Sequence, residues 1–268
     1  MTDFNKLIEQ FLDPYSRQAR LAPALVVIVP IVLLVMVWFP ASWSVWGALV
    51  SVACSCGLMF LLSQIARDRG KQKEPDLYAG WGGKPSVALL RHRDRRIDPQ
   101  TKARYCGFLK SKLPQLVLPT EAEEETDPAR ADAAYVSVTA WLLTQTRDTK
   151  VFNLLFRENI SYGFRRNLWG LKPIGMATTL VVAAAGTFAI GYKYWAQQVW
   201  VSAEIIIVTA IVWILLVIWT GLVTRTWVRV PADAYGGQLL AACDTLAGSG
   251  TATGKGTKGG RSSSTNSK

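Results

Sequence analysis

The densest gathering of groups able to do chemistry is the run Arg91-His92-Arg93-Asp94-Arg95-Arg96. Closely spaced guanidiniums hold a phosphate or carboxylate through paired hydrogen bonds, and they serve equally well as a solvated face beside acidic lipid. Just upstream, Gly80-Trp81-Gly82-Gly83-Lys84-Pro85-Ser86 has the glycine content of a phosphate-cradling loop. Pro85 stands where such a loop needs Ser or Thr, and no strand precedes it, so a glycine-shaped turn is expected, with a backbone nest near Lys84 as an anion site. Lys84, Arg91, Arg93, Arg95 and Arg96 are the candidate contacts for an anionic ligand such as a nucleotide, or for an acidic partner.

No catalytic constellation accompanies them. His92 is the only histidine, which removes a zinc site of the usual kind and any His-dependent triad. Cys54, Cys56, Cys106 and Cys243 lack metal-type spacing, and Cys106 and Cys243 are expected to be cytoplasmic and reduced. Asn159-Ile160-Ser161 matches the glycosylation pattern but falls in a segment assigned below to the cytoplasm. No cofactor, no metal and no enzymatic activity are expected; a lipid-active enzyme using His92 or Asp94 is the weakest alternative.

The elements that carry these groups follow from the placement of apolar residues. They collect in four blocks, 21–39, 43–65, 174–195 and 204–223, each near the ~20 residues that cross ~30 Å of hydrocarbon. The first block is too long for the ~7–15-residue core of a cleaved signal and is read as an anchor. The expected fold is an all-α integral membrane protein: two transmembrane hairpins (four spans) at 21–65 and 173–223, with a mostly helical cytoplasmic domain at 66–172 between them. Residues 1–20, with Phe4, Leu7, Ile8, Phe11 and Leu12 on one face, form a surface helix or pack on the middle domain. Residues 224–247 hold a short helix from Ala232 to Ala247, and 248–268 a disordered tail.

Charge sets the orientation. Three Lys or Arg precede the first block, 20 lie between the second and third, one, Lys193, stands at the end of the third by the short connection to the fourth, and six follow. By the positive-inside rule both termini and the middle segment are cytoplasmic in a bacterial inner membrane. Trp38, Trp43, Trp195 and Trp200 mark the outer interface, Trp169 and Trp227 the inner one. Lys193 and Glu204 pair across the second hairpin or reach for the outer headgroups. Of the net charge of +11 the topology itself demands much, and the middle segment's 20 basic against 13 acidic residues suit anionic headgroups first and a nucleotide or nucleic-acid partner second, nucleic acid being the less expected of these. Arg157, Arg165, Arg166 and Trp169, on an amphipathic helix from 151 to 171 broken or bent at Gly170 and Pro173, are the expected membrane-surface contacts.

Within the spans, Gly175, Thr179, Ala183, Thr187 and Gly191 recur every four residues, and Gly47, Ser51 and Ser55 repeat the device. Such ridges let helix backbones approach closely, which implies a homo-oligomer. The cores of the blocks carry no Asp, Glu, Lys, Arg or His, against a proton relay or coupled transporter.

Inside the middle segment, residues 76–86 read as an ordered loop, and Asp98-Pro99 caps a helix ended by Pro114. Thr120 followed by acidic residues starts another, and Pro128 restarts it as far as about Thr146. The motifs Gly82-Gly83-Lys84-Pro85, Leu90-Arg91, Leu118-Pro119-Thr120, Asp132-Ala133-Ala134-Tyr135, Tyr162-Gly163-Phe164-Arg165-Arg166-Asn167 and Gly170-Leu171-Lys172-Pro173 together resemble a family of bacterial four-span membrane proteins without an assigned activity. The architecture is more loosely similar to multi-span anti-phage effectors, which implies a cytoplasmic sensor joined to membrane helices that assemble and perturb the bilayer. A scaffold recruiting a cytoplasmic enzyme or complex is the second reading.

Overall fold

The computed structural model describes residues 13–38 and 45–253, with the backbone alone at 45–56 and 249–253. Among the described residues every regular element is helical: α1 (Pro14–Trp38), α2 (Val45–Gln72), α3 (Glu74–Trp81), α4 (Pro85–Ala88), α5 (Pro99–Lys112), α6 (Glu121–Thr126), α7 (Pro128–Gln145), α8 (Asn153–Gln197), α9 (Ala203–Gly221) and α10 (Arg225–Thr253). Three of them, α1, α8 and α9, are long and apolar enough to cross a membrane. The second apolar block of the sequence lies on α2. The expected surface helix before Asp13 and the side chains of Gly47, Ser51 and Ser55 lie outside the description.

Solvent exposure on the long helices has the pattern expected in lipid. Leu25, Val29, Ile31, Val32, Val35 and Met36 on α1 are exposed, as are Ile206, Ile207, Ile211, Trp213, Ile214, Val217 and Ile218 on α9. At about 1 kcal/mol or more for each half-exposed side chain, leaving them in water would offset the ~5–15 kcal/mol that holds a typical domain together. Hydrocarbon removes that cost.

The chain divides into two compact units. One comprises Met1–Gly82 and Arg157–Ala232, the other Gly83–Phe156 and Asp233–Lys268. Residues 66–82 and 157–172 therefore belong with the apolar helices rather than with the inserted domain, because α2 and α8 continue well beyond their apolar blocks. Pro173 does not end α8, which carries through it, and α10 extends over 248–253, into the segment whose Gly, Ser and Thr content suggests a tail. The expected loop at 76–86 is mostly helix α3: Pro75 suits its first turn, and Glu74 and Asp76 complement the positive end of its dipole. Gly82 ends it with φ +80 and Gly83 follows at φ +130, conformations costly for any residue with a Cβ.

In the membrane unit α1 packs against α2 and α9. Ala24, Val27 and Ile28 of α1, Leu62 and Ala66 of α2, Leu168 and Leu171 of α8, and Trp219 with Val223 beyond it form one core. α8 and α9 run in opposite directions along each other. The Trp219 ring lies against Gly175, Val212 packs with Val182 and Ala183, Thr209 faces Gly186, and the Trp213 indole N–H donates to Thr187 Oγ1 at 3.1 Å.

The second unit is a bundle around Leu90, Leu109, Tyr135, Val138, Leu142, Leu239 and Leu240. Its helices begin as local chemistry dictates. Asp98 accepts from the Thr101 N–H at 2.8 Å to start α5, Thr120 and Glu123 form a capping box on α6, and Asp127 accepts from the Arg130 N–H at 3.0 Å to start α7. Gly236 of α10 meets the Pro85–Ser86 backbone, where a Cβ would stand 3.0 Å from the Ser86 nitrogen.

Candidate functional site

The segment Tyr162 to Pro173 of α8 joins the membrane unit together. At Arg17–Leu21 α1 widens into a π turn, in which the Ala22 N–H reaches back to the Arg17 carbonyl. Pro23 has no N–H for the carbonyl of Ala19, four residues earlier. The fully buried Asn167 fills that role, its Nδ2 donating to the Ala19 carbonyl at 2.7 Å. Its Oδ1 accepts from Arg166 Nε and Nη2 at 3.2 and 3.0 Å.

Arg166 also donates to Glu74 Oε1 of α3 at 2.7 Å. The Tyr162 hydroxyl donates to that same oxygen at 3.0 Å and lies 3.2 Å from the Tyr78 hydroxyl. Burial raises the Tyr78 phenol to about 12, so it stays protonated and available to share. Gly163 lets α8 approach Tyr15 and Ala19 of α1, where a Cβ would stand 2.9 Å from the Tyr15 hydroxyl. Gly170 does the same on α2: a Cβ there would stand 2.6 Å from the Gly70 nitrogen. About two turns of α8 thereby fix α1, α2 and α3 through two glycines, one amide and one ion pair.

The neighbouring cations stabilise helix ends and rings. Arg165 Nη1 donates to the Trp227 carbonyl at 2.9 Å, and its guanidinium stands 4.7 Å from the centre of that indole. Lys172 Nζ donates to the Val223 carbonyl at 2.7 Å and lies 5.3 Å from the Trp169 ring. A cation at the carbonyl end of α9 complements both the free acceptors and the dipole. At the other end of these helices Lys193 Nζ sits 5.2 Å from the Trp38 ring.

In the second unit the arginine run is folded into ion pairs. Arg91 is buried and grips Asp132 through two bonds, Nε to Oδ1 at 2.8 Å and Nη2 to Oδ2 at 2.6 Å. Gly83 makes room for it, since a Cβ there would stand 2.6 Å from Nη2. Arg96 bonds both oxygens of Asp94 and reaches Asp233 at 2.9 Å. Burial alone would raise the Asp94 carboxyl, but the Arg96 bonds outweigh it and hold the group below its ordinary value. Lys102, buried on α5, donates to the carbonyls of Arg91 and Asp94 at 2.6 and 2.5 Å.

Glu124, also buried, is the hub of the opposite side. Its Oε2 accepts from the His92 N–H at 2.8 Å and from the Tyr135 hydroxyl at 2.9 Å, and Arg93 lies 3.8 Å from Oε1. The His92 ring donates through Nε2 to the Pro119 carbonyl at 3.0 Å, which engages the only histidine in holding the loop before α6. Burial, and next the Glu124 bond, raise the Tyr135 phenol far above its ordinary range.

The candidate anion contacts are thus not one free surface. Arg91 is interior, Arg93 and Arg96 lean on acids, and only Lys84 and Arg95 show no ion pair among the described residues. Of the expected membrane-surface residues Arg157 is exposed and Arg165 and Trp169 are half-buried, but Arg166 is inside, because Glu74 neutralises it there. The ridge on α8 faces α9 and α1 rather than solvent at Gly175, Thr179 and Ala183; Thr187 is exposed, and around Gly191 there is open space. Sequence reasoning missed Glu74, Glu124, Asp132 and Asn167. The proline at 23 was the available signal for Asn167, since it implies an acceptor in need of a distant donor.

One surface of the second unit remains open. A cavity of about 310 Å³ lies at the meeting of α6 and α7, lined by apolar Val117, Pro119, Ala122, Ala131 and Ala134 and rimmed by Glu123, Asp127 and Arg130. Comparisons of the chain with protein-family models, curated proteins and solved structures find no match.

Proposed function

We propose that this chain is a non-enzymatic scaffold of a bacterial inner membrane, in which two transmembrane hairpins hold a helical cytoplasmic unit at the bilayer for docking another protein chain. The observation that carries the reading is the character of what stays exposed on that unit. Arg91, Arg93, Arg96 and Arg104 are turned onto its own carboxylates, while an uncharged helix face and an apolar cavity rimmed by Glu123, Asp127 and Arg130 are left open. Surfaces of that kind recognise protein rather than phosphate.

The four-span topology with cytoplasmic termini rests on the three apolar helices, the second apolar block on α2, and the uneven placement of Lys and Arg. Reporter fusions after residues 40, 105 and 200 and after Lys268 test it. Periplasmic signal at 40 and 200 with cytoplasmic signal at 105 and 268 is the expected pattern, and a periplasmic signal at 105 would end the scaffold reading. Anionic headgroups at the inner face suit the exposed Arg157 and Arg225.

A second reading follows from the open space at Gly191 and the exposure of Thr187 on α8. There the chain is a defence effector: an anionic ligand at Lys84 and Arg95 drives assembly through the spans and perturbs the membrane. Dye influx in induced cells on triggering supports it; intact membranes under phage challenge count against it.

A further inference from the structure

The two units are charged differently. Residues 83–156 and 233–248 carry 12 Lys or Arg against 11 Asp or Glu, whereas residues 13–82 and 157–232, in the membrane unit, carry 13 against six. Cations of the membrane unit therefore outnumber the carboxylates that could neutralise them. Three of these cations, Arg165, Lys172 and Arg225, form no ion pair among the described residues.

All three gather where α9 ends at Gly221 and α10 begins at Arg225. Lys172 is held there by the Val223 carbonyl and the Trp169 ring, and Arg165 by the carbonyl and ring of Trp227. Arg225 lies beside α3, where a Cβ on Gly80 would stand 3.8 Å from its Nη1. Trp81, Trp169 and Trp227 pack on one shared core of Leu77, Tyr162, Val228 and Ala232. Indole rings with cations at their edges are what a membrane–water interface favours.

These contacts leave donors over. Lys172 places Nζ on two carbonyls, Val223 at 2.7 Å and Thr220 at 3.4 Å, out of three N–H groups, and Arg165 commits one of five. Arg225 is exposed and makes no hydrogen bond among the described residues. Apolar surface stands bare in the same stretch of chain: Leu222, between the two carbonyls that hold Lys172, is 52% exposed, and Val217 on the last turns of α9 is 68% exposed.

We infer that this corner of the membrane unit binds one anionic phospholipid of the inner leaflet, its phosphodiester facing Arg225 within the positive field of Lys172 and Arg165, its acyl chains running along Leu222 and Val217. This deepens the headgroup contact proposed above and rests on that reading's topology for the choice of leaflet. A guanidinium holds two phosphate oxygens at once. Free phosphate would satisfy the cations but leave Leu222 and Val217 bare. A zwitterionic headgroup would bring its ammonium to three cations that no carboxylate engages.

The full chain in detergent tests the site, by native mass measurement with phosphatidylglycerol, phosphatidylethanolamine or phosphatidylcholine added, and with inorganic phosphate as the lipid-free arm. Phosphatidylglycerol is expected to bind about tenfold or more tighter than the other two lipids. Arg225→Ala should lose about tenfold of that affinity, and Arg225→Lys, which keeps the charge but not the fork, should regain part of it. Lys71→Ala removes an exposed cation of α2 outside the patch and should bind as wild type does. Phosphatidylglycerol should also raise the melting temperature of wild type and Lys71→Ala more than that of Arg225→Ala. Without lipid all should melt alike, because Arg225 holds no other side chain. The inference is overturned if the three lipids bind equally, if Lys71→Ala loses as much as Arg225→Ala, or if inorganic phosphate at the same phosphorus concentration protects wild type as well. Fusions in the expected pattern with no preference for phosphatidylglycerol would overturn this site and leave the topology standing; a periplasmic signal at 105 with the preference intact would end the scaffold reading and assign the site to the outer leaflet.

Discussion

Asn167 lies beneath α1 and gives its amide to the Ala19 carbonyl at 2.7 Å, serving an acceptor that Pro23 cannot serve. Asn167→Leu is expected to destabilise the membrane unit by about 1–3 kcal/mol, the cost of a buried polar group left alone. In a Pro23→Ala background an N–H returns at position 23, so the same replacement should cost clearly less. Thermal unfolding in detergent of the four proteins of the cycle measures the coupling; equal losses in both backgrounds would refute the account.

The glycines of α8 separate into two kinds. Gly170→Ala forces a Cβ onto the Gly70 backbone, for which neither side has a flexible end to yield, and a loss of about 1–3 kcal/mol is expected. At Gly191, where nothing stands within 4 Å, the change to Ala should be neutral or stabilise by ~0.5–1 kcal/mol through a better helix propensity. Reversed ranking in a denaturant titration would contradict the close approach of α2 and α8.

Arg91 and Asp132 form the two-bond pair of the second unit. Asp132→Ala strands a buried guanidinium and should cost about 3 kcal/mol or more, whereas Arg91→Met with Asp132→Leu together should cost much less. Arg91→Lys is expected to behave like a deletion, since one ammonium cannot span both carboxylate oxygens. Hydrogen exchange across residues 85–145 reads the result, and an Asp132→Ala protein exchanging like wild type would dismiss the pair.

Acid should weaken the second unit in a defined window. Backbone N–H bonds hold the Asp98 and Glu123 carboxyls below their ordinary values of 3.8 and 4.5, and the Arg96 bonds lower Asp94 against its burial. A depressed folded value means the carboxylate is stabilised by folding. That contribution is complete above the unfolded values and disappears as pH falls through the lower folded ones. Melting temperature should stay level from pH 7 to 5 and drop below about pH 4; a decline already complete at pH 5 would assign the loss to other groups.

Local signals in this sequence were legible because their partners are local. Asp98, Thr120 and Asp127 sit within three residues of the N–H groups they cap, and the starts of α5, α6 and α7 follow directly. The ridge from Gly175 announced close packing through its fourfold spacing, but periodicity does not say which neighbour fills it, and Trp219 lies 44 positions away. Arg166 reads as a headgroup contact by composition. Its burial depends on Glu74, 92 residues earlier, and nothing near Arg166 records that carboxylate. The arginine run misleads for the same reason: Asp132 is 41 residues from Arg91 and Glu124 is 32 from His92.

The bond between Asn167 and Ala19 also sets an order of events during synthesis. The two residues are 148 positions apart, so at ~5–20 residues per second the ribosome delivers the donor about 7 to 30 s after the acceptor. Throughout that interval the segment around Pro23 must keep its bare carbonyl in contact with water or headgroups. The final seating of α1 is therefore a late step in biogenesis, timed by the arrival of α8.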